Sequence, residues 1–510
     1  MEQSLRRDAL SSYTNLFINI LAALILVPIV ESHVGKSHYG IYQFVISLTI
    51  YSELMSMGLG KTIERYVAKY AEEKKEEMEG AIVSIVLTLY IGTGLVFLGG
   101  VAVLYHYFGH IFAFTGTELT LAKTSFLIAA ANAGLNIPAS LFQSHLRGRG
   151  RFSLLFNIGT VKALLKLLTV TTVLRLGGGI VAVFLVEMIL VQSANLLFAL
   201  VSVFRYHLKI RLFHLDKALF HKLFQYTTFV FLSGVAHTLY WNTDNIVLGM
   251  FTNAEVIAEY ALSQRLIDYF YRYSIAFSGL FLPKFMAHYV VKDLAESKAR
   301  ASSLFTRSSR VLAILMSFAV VNFLVLGRDF VVLWIGHRYP MTYVYAITIL
   351  IPYWLILAQS TGVELLYVMK RHRISTYIYL GSAIVNIVAT VYLVQRIGPM
   401  GAALATATTL FLGSFVMTNF YYRKLLQLDL MHHFRVVFLK NGVVSGIALA
   451  FGYGLNRLLD GTVLTGFLTK GMLLNLLFLP LIFWVLLTPE ERLSILRRLG
   501  MGKPVKKEAP

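Results

Sequence analysis

The chain has no cysteine among its 510 residues, which excludes disulfide bridges, thiolate metal sites and cysteine nucleophiles. Charge is scarce as well: 14% of residues are Asp, Glu, Lys or Arg, 57% are hydrophobic, and the mean hydropathy is +0.68. That balance excludes a soluble globular protein and points to a polytopic membrane protein. Acid is the scarcer sign, with 26 Asp and Glu against 46 Lys and Arg and a net charge of +20. A basic excess of this size suits nucleic acid or anionic lipid, and its distribution decides between them. The first apolar stretch begins near Ser11, is too long for a signal-peptide core and is followed by no small-residue cleavage site, so it reads as a retained span. No segment reads as a soluble domain, and the loops opposite the basic ones reach only about a dozen residues. That leaves no outer domain for catalysis or capture.

Apolar windows of about 20 residues place fourteen spans. They lie near 11–32, 38–60, 79–107, 118–142, 152–174, 179–204, 219–250, 255–284, 303–327, 340–367, 373–395, 400–422, 435–456 and 464–487. An even number puts both termini on one side, and basic residues mark that side as cytoplasmic. The termini and alternate loops hold 29 Lys and Arg, with clusters such as Arg147, Arg149 and Arg151. The opposite loops hold seven: Lys36, Arg175, Arg328, Arg338, Arg396, Arg457 and Lys470. Topology therefore absorbs most of the net charge, and nucleic acid is not an expected partner. After the last span, Thr488-Pro489-Glu490-Glu491 reads as an N-cap, a proline at the first helical position and a capping-box glutamate, followed by Leu493, Leu496 and Leu499. Segment 488–510 is thus expected either as a basic amphipathic helix on the inner leaflet or as a solvated tail.

The chain repeats itself. Arg175-Leu176-Gly177-Gly178-Gly179-Ile180-Val181-Ala182 matches Arg396-Ile397-Gly398-Pro399-Met400-Gly401-Ala402-Ala403 at an offset of 221, and Gly40-Ile41-Tyr42 matches Ala258-Glu259-Tyr260 at 218. Basic turns at Leu146–Phe152 and Val368–Ile374 open the fifth and eleventh spans. Each offset covers six spans, so the halves are parallel repeats about an axis along the membrane normal. The expected fold is all-α, with an N-terminal lobe at 1–210, a C-terminal lobe at 211–430, two added spans at 431–487 and the tail.

Lys162 and Lys166 sit one turn apart in the run from Phe152 to Leu174. At 1.5 Å per residue, Lys162 lies roughly 15 Å along that helix, at the middle of a hydrocarbon core about 30 Å thick. A charge there needs water or a partner. Lys166 can snorkel to the nearer interface, whereas a lysine stem bridges too little for Lys162 to do so. The pair therefore marks a wet interior. Glu187 in the next span is a partner for either lysine, or a proton or cation site. In the eighth span Arg265, Asp268 and Arg272 share one face, serving either as a phosphate-gripping group or as an ionic link between helices. Glu53 and Asp244 are further coupling or charge-partner candidates, Asp244 reading mainly as a helix-end fastener. Asn15, Asn19, Tyr269 and Tyr273 are candidate sugar contacts, with helix packing and interface anchoring as the alternatives.

The Gly-rich turn at Arg175–Ala182, the R-G-R-G-R-F loop at Arg147–Phe152, the Y-G-I-Y-Q start of the second span at Tyr39–Gln43 and the I-G-P-M-G-A-A-L-A-T stretch at Ile397–Thr406 together resemble the Wzx-type polysaccharide flippases of the multidrug/oligosaccharidyl-lipid/polysaccharide exporter superfamily. The resemblance covers all fourteen spans. It implies two six-helix lobes with two peripheral helices. It also implies a non-enzymatic transporter that carries a polyprenyl-diphosphate-linked oligosaccharide to the outer leaflet by alternating access, for O-antigen or capsule biosynthesis. Membrane lipids, a polysaccharide polymerase and chain-length machinery are the implied partners. No cofactor is expected, and a coupling ion would be H+ or Na+. Peptidoglycan-precursor flippases of a related branch carry arginines on the first, second and eighth spans. Here Arg265 and Arg272 fit the eighth alone. The alternatives are a drug or cation antiporter of the same superfamily, a membrane glycosyltransferase or polymerase, and a membrane scaffold.

Overall fold

The computed structural model describes residues 2–56, 58–211, 217–289, 294–369 and 371–498, and these contain helices and no strand. In chain order the helices are α1 (Glu2–Val34), α2 (Lys36–Thr49), α3 (Leu59–Glu72), α4 (Glu76–Ile111), α5 (Gly116–Gly148), α6 (Phe152–Arg175), α7 (Ile180–Leu200), α8 (Lys217–Phe251), α9 (Ala254–Ser278) and α10 (Leu282–Tyr289). There follow α11 (Leu294–Ile335), α12 (Pro340–Leu357), α13 (Thr361–Val368), α14 (His372–Ile397), α15 (Met400–Thr409), α16 (Thr418–Leu426), α17 (Leu430–Phe434), α18 (Lys440–Leu458), α19 (Leu464–Leu481) and α20 (Pro489–Arg498). Among the described residues, eleven helical segments are long and apolar enough to cross a membrane. The chain is an all-α, multi-pass membrane protein.

Three expected spans fall outside those eleven, and all are helical. Segment 219–250 lies in α8. Segment 255–284 lies in α9 and α10, where Arg265, Asp268 and Arg272 dilute the apolar run. Segment 38–60 is broken: α2 ends at Thr49, a 3-10 stretch covers Ile50–Ser56, and α3 begins after Gly58, whose φ is 69°. That left-handed backbone favours glycine, because a Cβ would crowd the neighbouring carbonyl.

Contacts divide the chain into two compact units, Met1–Leu262 with Tyr379–Ala405 and Ser263–Ile378 with Thr406–Pro510. In the first, α1 lies along α6, and α5 packs against α2, α3, α4 and α7. Ile63, Val67, Ile82, Ile85, Val86 and Leu141 form one core. Near the other end Phe44 meets Phe108, Phe112 and Phe114 edge-on. The repeat is visible in helix endings. At the end of α6, Gly177 (φ 86°) donates to Leu174 O at 3.0 Å and Gly178 to Val173 O at 2.9 Å, the paired bonds of a Schellman cap. The matching Gly398 (φ 72°) ends α14 with a single bond to Val394 O at 3.0 Å. The second bond is missing there because Pro399, which replaces Gly178, has no N–H to give.

In the second unit, α11 is 42 residues long, about 63 Å at the helical rise and twice a hydrocarbon core. It packs against α12, α18 and α19. Lys470, counted from the sequence among the outer charges, is buried in α19 and paired with Asp329 at 2.8 Å. The capping box at the start of α20 forms as read: Glu491 N donates to Thr488 Oγ1 at 3.3 Å, and Thr488 N to Glu491 Oε2 at 2.9 Å. Arg310 on α11 holds the same carboxylate at 2.5 Å. The amphipathic tail helix is thus tied to the bundle as far as Arg498; Leu499 and the last lysines lie outside the described residues.

Burial alone would raise the Glu491 carboxyl, but the bonds from Arg310 and Thr488 outweigh it and hold the group below its usual carboxylate range. A depressed folded value means that this contribution to tail docking is complete above the unfolded carboxylate value, about 4.3, and is lost as pH falls through the lower folded value. Arg492 lies over the Trp484 ring, 5.5 Å from its centroid, so a variant retaining Trp484 as its sole tryptophan reports docking by fluorescence. Its emission is expected to shift on acidification below about pH 4. Thr488→Ala should loosen α20 by about 1 kcal/mol, the usual worth of an N-cap.

Candidate substrate site and intramembrane charges

The α6–α7 hairpin builds the central charge group. Its glycine turn sends α7 back along α6, and Lys166 and Glu187 stand nine residues before Arg175 and seven after Ile180. Both are thus roughly 10–14 Å from the turn, and they form an ion pair. Lys162, one turn deeper, lies within electrostatic range of the same carboxylate without pairing with it. Both lysines and Glu187 are half-buried by protein. Two cations thus share one acid, leaving the group with a net positive charge.

Asn15 also reaches α6. Its amide nitrogen donates to Phe156 O at 3.0 Å and Thr160 Oγ1 at 3.2 Å, while Asn19 donates to Asn15 O at 2.8 Å. The two helices approach closely at Gly159, since a Cβ there would come within 2.7 Å of the Asn15 amide. Asn15 therefore fastens α1 to the lysine helix one turn from Lys162, with its carbonyl oxygen as the remaining acceptor. In α9, Asp268 pairs with Arg272, Nε to Oδ2 at 2.6 Å, on an exposed face. The Arg265 guanidinium lies beside the Tyr269 hydroxyl, and Tyr273 packs against Phe277. Glu53 sits on the 3-10 stretch that breaks the second span, exposed and without an ion pair among the described residues. Asp244 is buried well inside α8, where it accepts from Tyr260 at 2.6 Å and Thr390 at 3.0 Å. It fastens α8 to α9 and α14, and its place is within the helix, seven residues before the end.

A family described as polysaccharide biosynthesis protein matches residues 5–287, more than half of the chain. The chain belongs to that family. No curated protein matches it. Among solved structures it resembles the lipid II flippase MurJ in an inward closed conformation, with a TM-score of 0.69 at 15% identity, covering 93% of this chain and 99% of that one. A multidrug resistance transporter of the MATE family in an inward-facing conformation gives 0.65 at 12% identity, over 81% of this chain and 98% of its own. A transporter of the MOP superfamily from Pyrococcus furiosus gives 0.56 at 13%, over 83% and 96%. At these identities the likeness establishes the fold alone, one shared with these transporters.

Among the described residues stand three polar groups that the sequence pattern did not single out. An amide ladder joins α5 to α7, with Gln192 donating to Asn132 Oδ1 at 2.8 Å and Asn195 to Asn136 Oδ1 at 2.9 Å. Its signal was present as amides at i, i+4 on α5 and i, i+3 on α7. Glu79, 2% exposed, accepts from His145 Nε2 at 2.7 Å and from Arg149 Nε and Nη2 at 2.8 and 2.5 Å, while His145 Nδ1 meets the Ser202 hydroxyl at 3.0 Å. Where α2 meets α9, Lys36 pairs with Glu259 at 2.6 Å and with Glu255 at 3.8 Å. Gly40 is so close to α9 that a Cβ would fall 1.7 Å from Ala254 O. These are repeat-related segments lying against one another.

Proposed function

We propose that the chain is a flippase that moves a polyprenyl-diphosphate-linked oligosaccharide from the cytoplasmic to the outer leaflet of the cell membrane by alternating access, for assembly of a surface polysaccharide, and that it catalyses no covalent chemistry. The observation that carries this reading is the Lys162–Lys166–Glu187 group, two cations on one acid deep in an apolar hairpin. A diphosphate leaving water needs replacement for its hydration, and a net positive group provides it. Lys166 is held by Glu187 at rest, so arriving phosphate competes for it and meets Lys162 directly. The accessible amides of Asn132 and Asn136 on α5 and Gln192 on α7 are suited to sugar hydroxyls. With the inside negative, each outward-moving negative charge gains roughly 2.3 kcal/mol per 100 mV. Family membership and the MurJ-like fold support a lipid-linked cargo.

On this reading both termini are cytoplasmic, and the Lys36–Glu259 pair and the Gly40 contact close the outer end of the first unit. Gly40→Ala should force α2 off α9. The sequence lacks cysteine, so a single Val45→Cys, fully buried on α2, can be read without background. Its labelling by an impermeant thiol reagent from outside is expected to accelerate several-fold in the Gly40→Ala background.

The deciding experiment is reconstitution in vesicles with a fluorescent polyprenyl-diphosphate oligosaccharide, scoring its exposure on the opposite leaflet. Flipping without sugar incorporation supports the proposal. Proton- or Na+-driven efflux of a cationic drug with no lipid movement would replace it with an antiporter.

A further inference from the structure

Away from the intramembrane charges, the second unit holds a cavity of about 1190 Å³ bounded by α11, α17, the first turns of α18 and α20, and the π-helical stretch that follows α19. Two features mark it as built. The first is its charge. Arg307, Arg310, Arg435, Lys440 and Arg492 line it, against Asp429, Glu490 and Glu491. Glu491 is occupied by Arg310, whose second nitrogen binds Leu486 O at 2.8 Å. Asp429 caps α17 by accepting from His432 N at 3.1 Å. Arg492 donates to Leu487 O at 3.1 Å. Arg307, Arg435 and Lys440 remain exposed, with no ion-pair partner among the described residues. The second feature is backbone. Both walls contain π-helical stretches, Arg435–Leu439 and Ile482–Leu486, and a π turn inserts an extra residue and is concentrated at functional sites.

We infer that this cavity is a binding site for a phosphate-bearing anion, held by Arg307, Arg435 and Lys440. A guanidinium grips two phosphate oxygens at once and a lysine serves as a mobile point charge. The group has two sources, the headgroup of an anionic phospholipid or a soluble phosphate ester. The lipid source rests on the orientation proposed above, which puts the cavity at the inner leaflet. It also matches the exposed apolar side chains next in sequence to lining residues, Met431, Leu439 and Trp484, which are 71%, 59% and 64% exposed and suited to acyl chains. Because α20 closes one wall and is tied to α11 through Arg310 and Glu491, an occupant bridges the tail helix to the bundle.

The test uses the full-length protein in detergent and reads its thermal midpoint and binding isotherm with added dioleoyl-phosphatidylglycerol, dioleoyl-phosphatidylcholine or glycerol 3-phosphate. A rise with phosphatidylglycerol alone identifies a lipid headgroup, and a rise with glycerol 3-phosphate as well identifies a site for the phosphate itself. Each basic residue contributes about 1 kcal/mol toward an anionic surface, so Arg435→Gln with Lys440→Gln should weaken binding roughly 30-fold. Lys424→Gln, outside the cavity lining, should leave it unchanged. If the double variant folds poorly, Arg307→Gln alone carries the test, with several-fold weaker binding expected. Equal response to the two phospholipids, or undiminished phosphatidylglycerol binding in the variants, overturns the inference. Since no outcome depends on transport, failure here is distinct from failure of the flippase proposal.

Discussion

Flux of a lipid-linked oligosaccharide in reconstituted vesicles is expected to fall roughly 100-fold or more when Lys162 and Lys166 are both replaced by alanine, if two charge-assisted contacts of about 1.5–3 kcal/mol are lost together. Each single variant should lose less than the double. Lys166→Ala leaves Glu187 facing Lys162, so the remaining lysine can take over the ion pair and the group becomes neutral. Lys162→Ala leaves the Lys166–Glu187 pair intact and also neutral. Glu187→Gln frees both cations, and should tighten binding of the diphosphate while slowing its release, since a site must hold its cargo weakly enough to let it go. A preserved flux in the double variant would remove the group from the mechanism, provided that surface expression and the thermal midpoint match wild type.

The second large effect is on stability. Glu79→Ala is expected to cost about 3–5 kcal/mol, the scale on which removing one partner leaves a buried charge uncompensated. The Glu79 side chain is 2% exposed and that of Arg149 19%, and the Arg149 guanidinium would lose the only carboxylate it contacts among the described residues. His145, fully buried, would lose the acceptor for its Nε2. Denaturation in detergent, followed by helical circular dichroism, measures the loss. Glu73→Ala serves as the control, because that carboxylate is exposed and pairs with Lys75 and Lys69 at the surface. It should leave the midpoint unchanged. Arg149→Ala together with Glu79→Ala is expected to recover part of the loss, since the unpaired guanidinium leaves with its partner.

The helical membrane class was legible because it rests on composition. A 20-residue apolar run has one economical solution in lipid, and α6 and α7 fall where the runs do. The left-handed turns were legible too, because Gly177 and Gly398 repeat at a fixed offset and few other residues tolerate that backbone. The capping box could be read residue by residue because its partners are three positions apart. The break in the second span could not, since Gly58 was the one hint of the turn and glycine is frequent in unbroken membrane helices too. Long-range partners were the least accessible. The pairing of Lys166 with Glu187 follows from comparable distances to one turn, whereas the Glu79–His145–Arg149 group joins residues 66 and 70 positions apart that no period connects. Lys36 and Glu259 were read as loop charge and repeat marker, and their contact depends on packing between repeats.

The interrupted second span has a mechanical consequence. An unbroken helix transmits a tilt at one end to the other as a rod would, but the 3-10 stretch at Ile50–Ser56 and the left-handed Gly58 form a knuckle. On one side of it, α2 carries Lys36 and Gly40 toward α9; on the other, α3 is packed into the core shared with α4 and α5. Tyr51, in the knuckle itself, is tethered to Thr243 of α8 at 2.8 Å. The energy needed to separate α2 from α9 is therefore local. Its main terms are the Lys36 ion pairs, the close Gly40 approach and a few soft dihedrals, to which any swing that also moves Phe44 adds its packing on Phe108, Phe112 and Phe114, while the α3 core can keep its own packing.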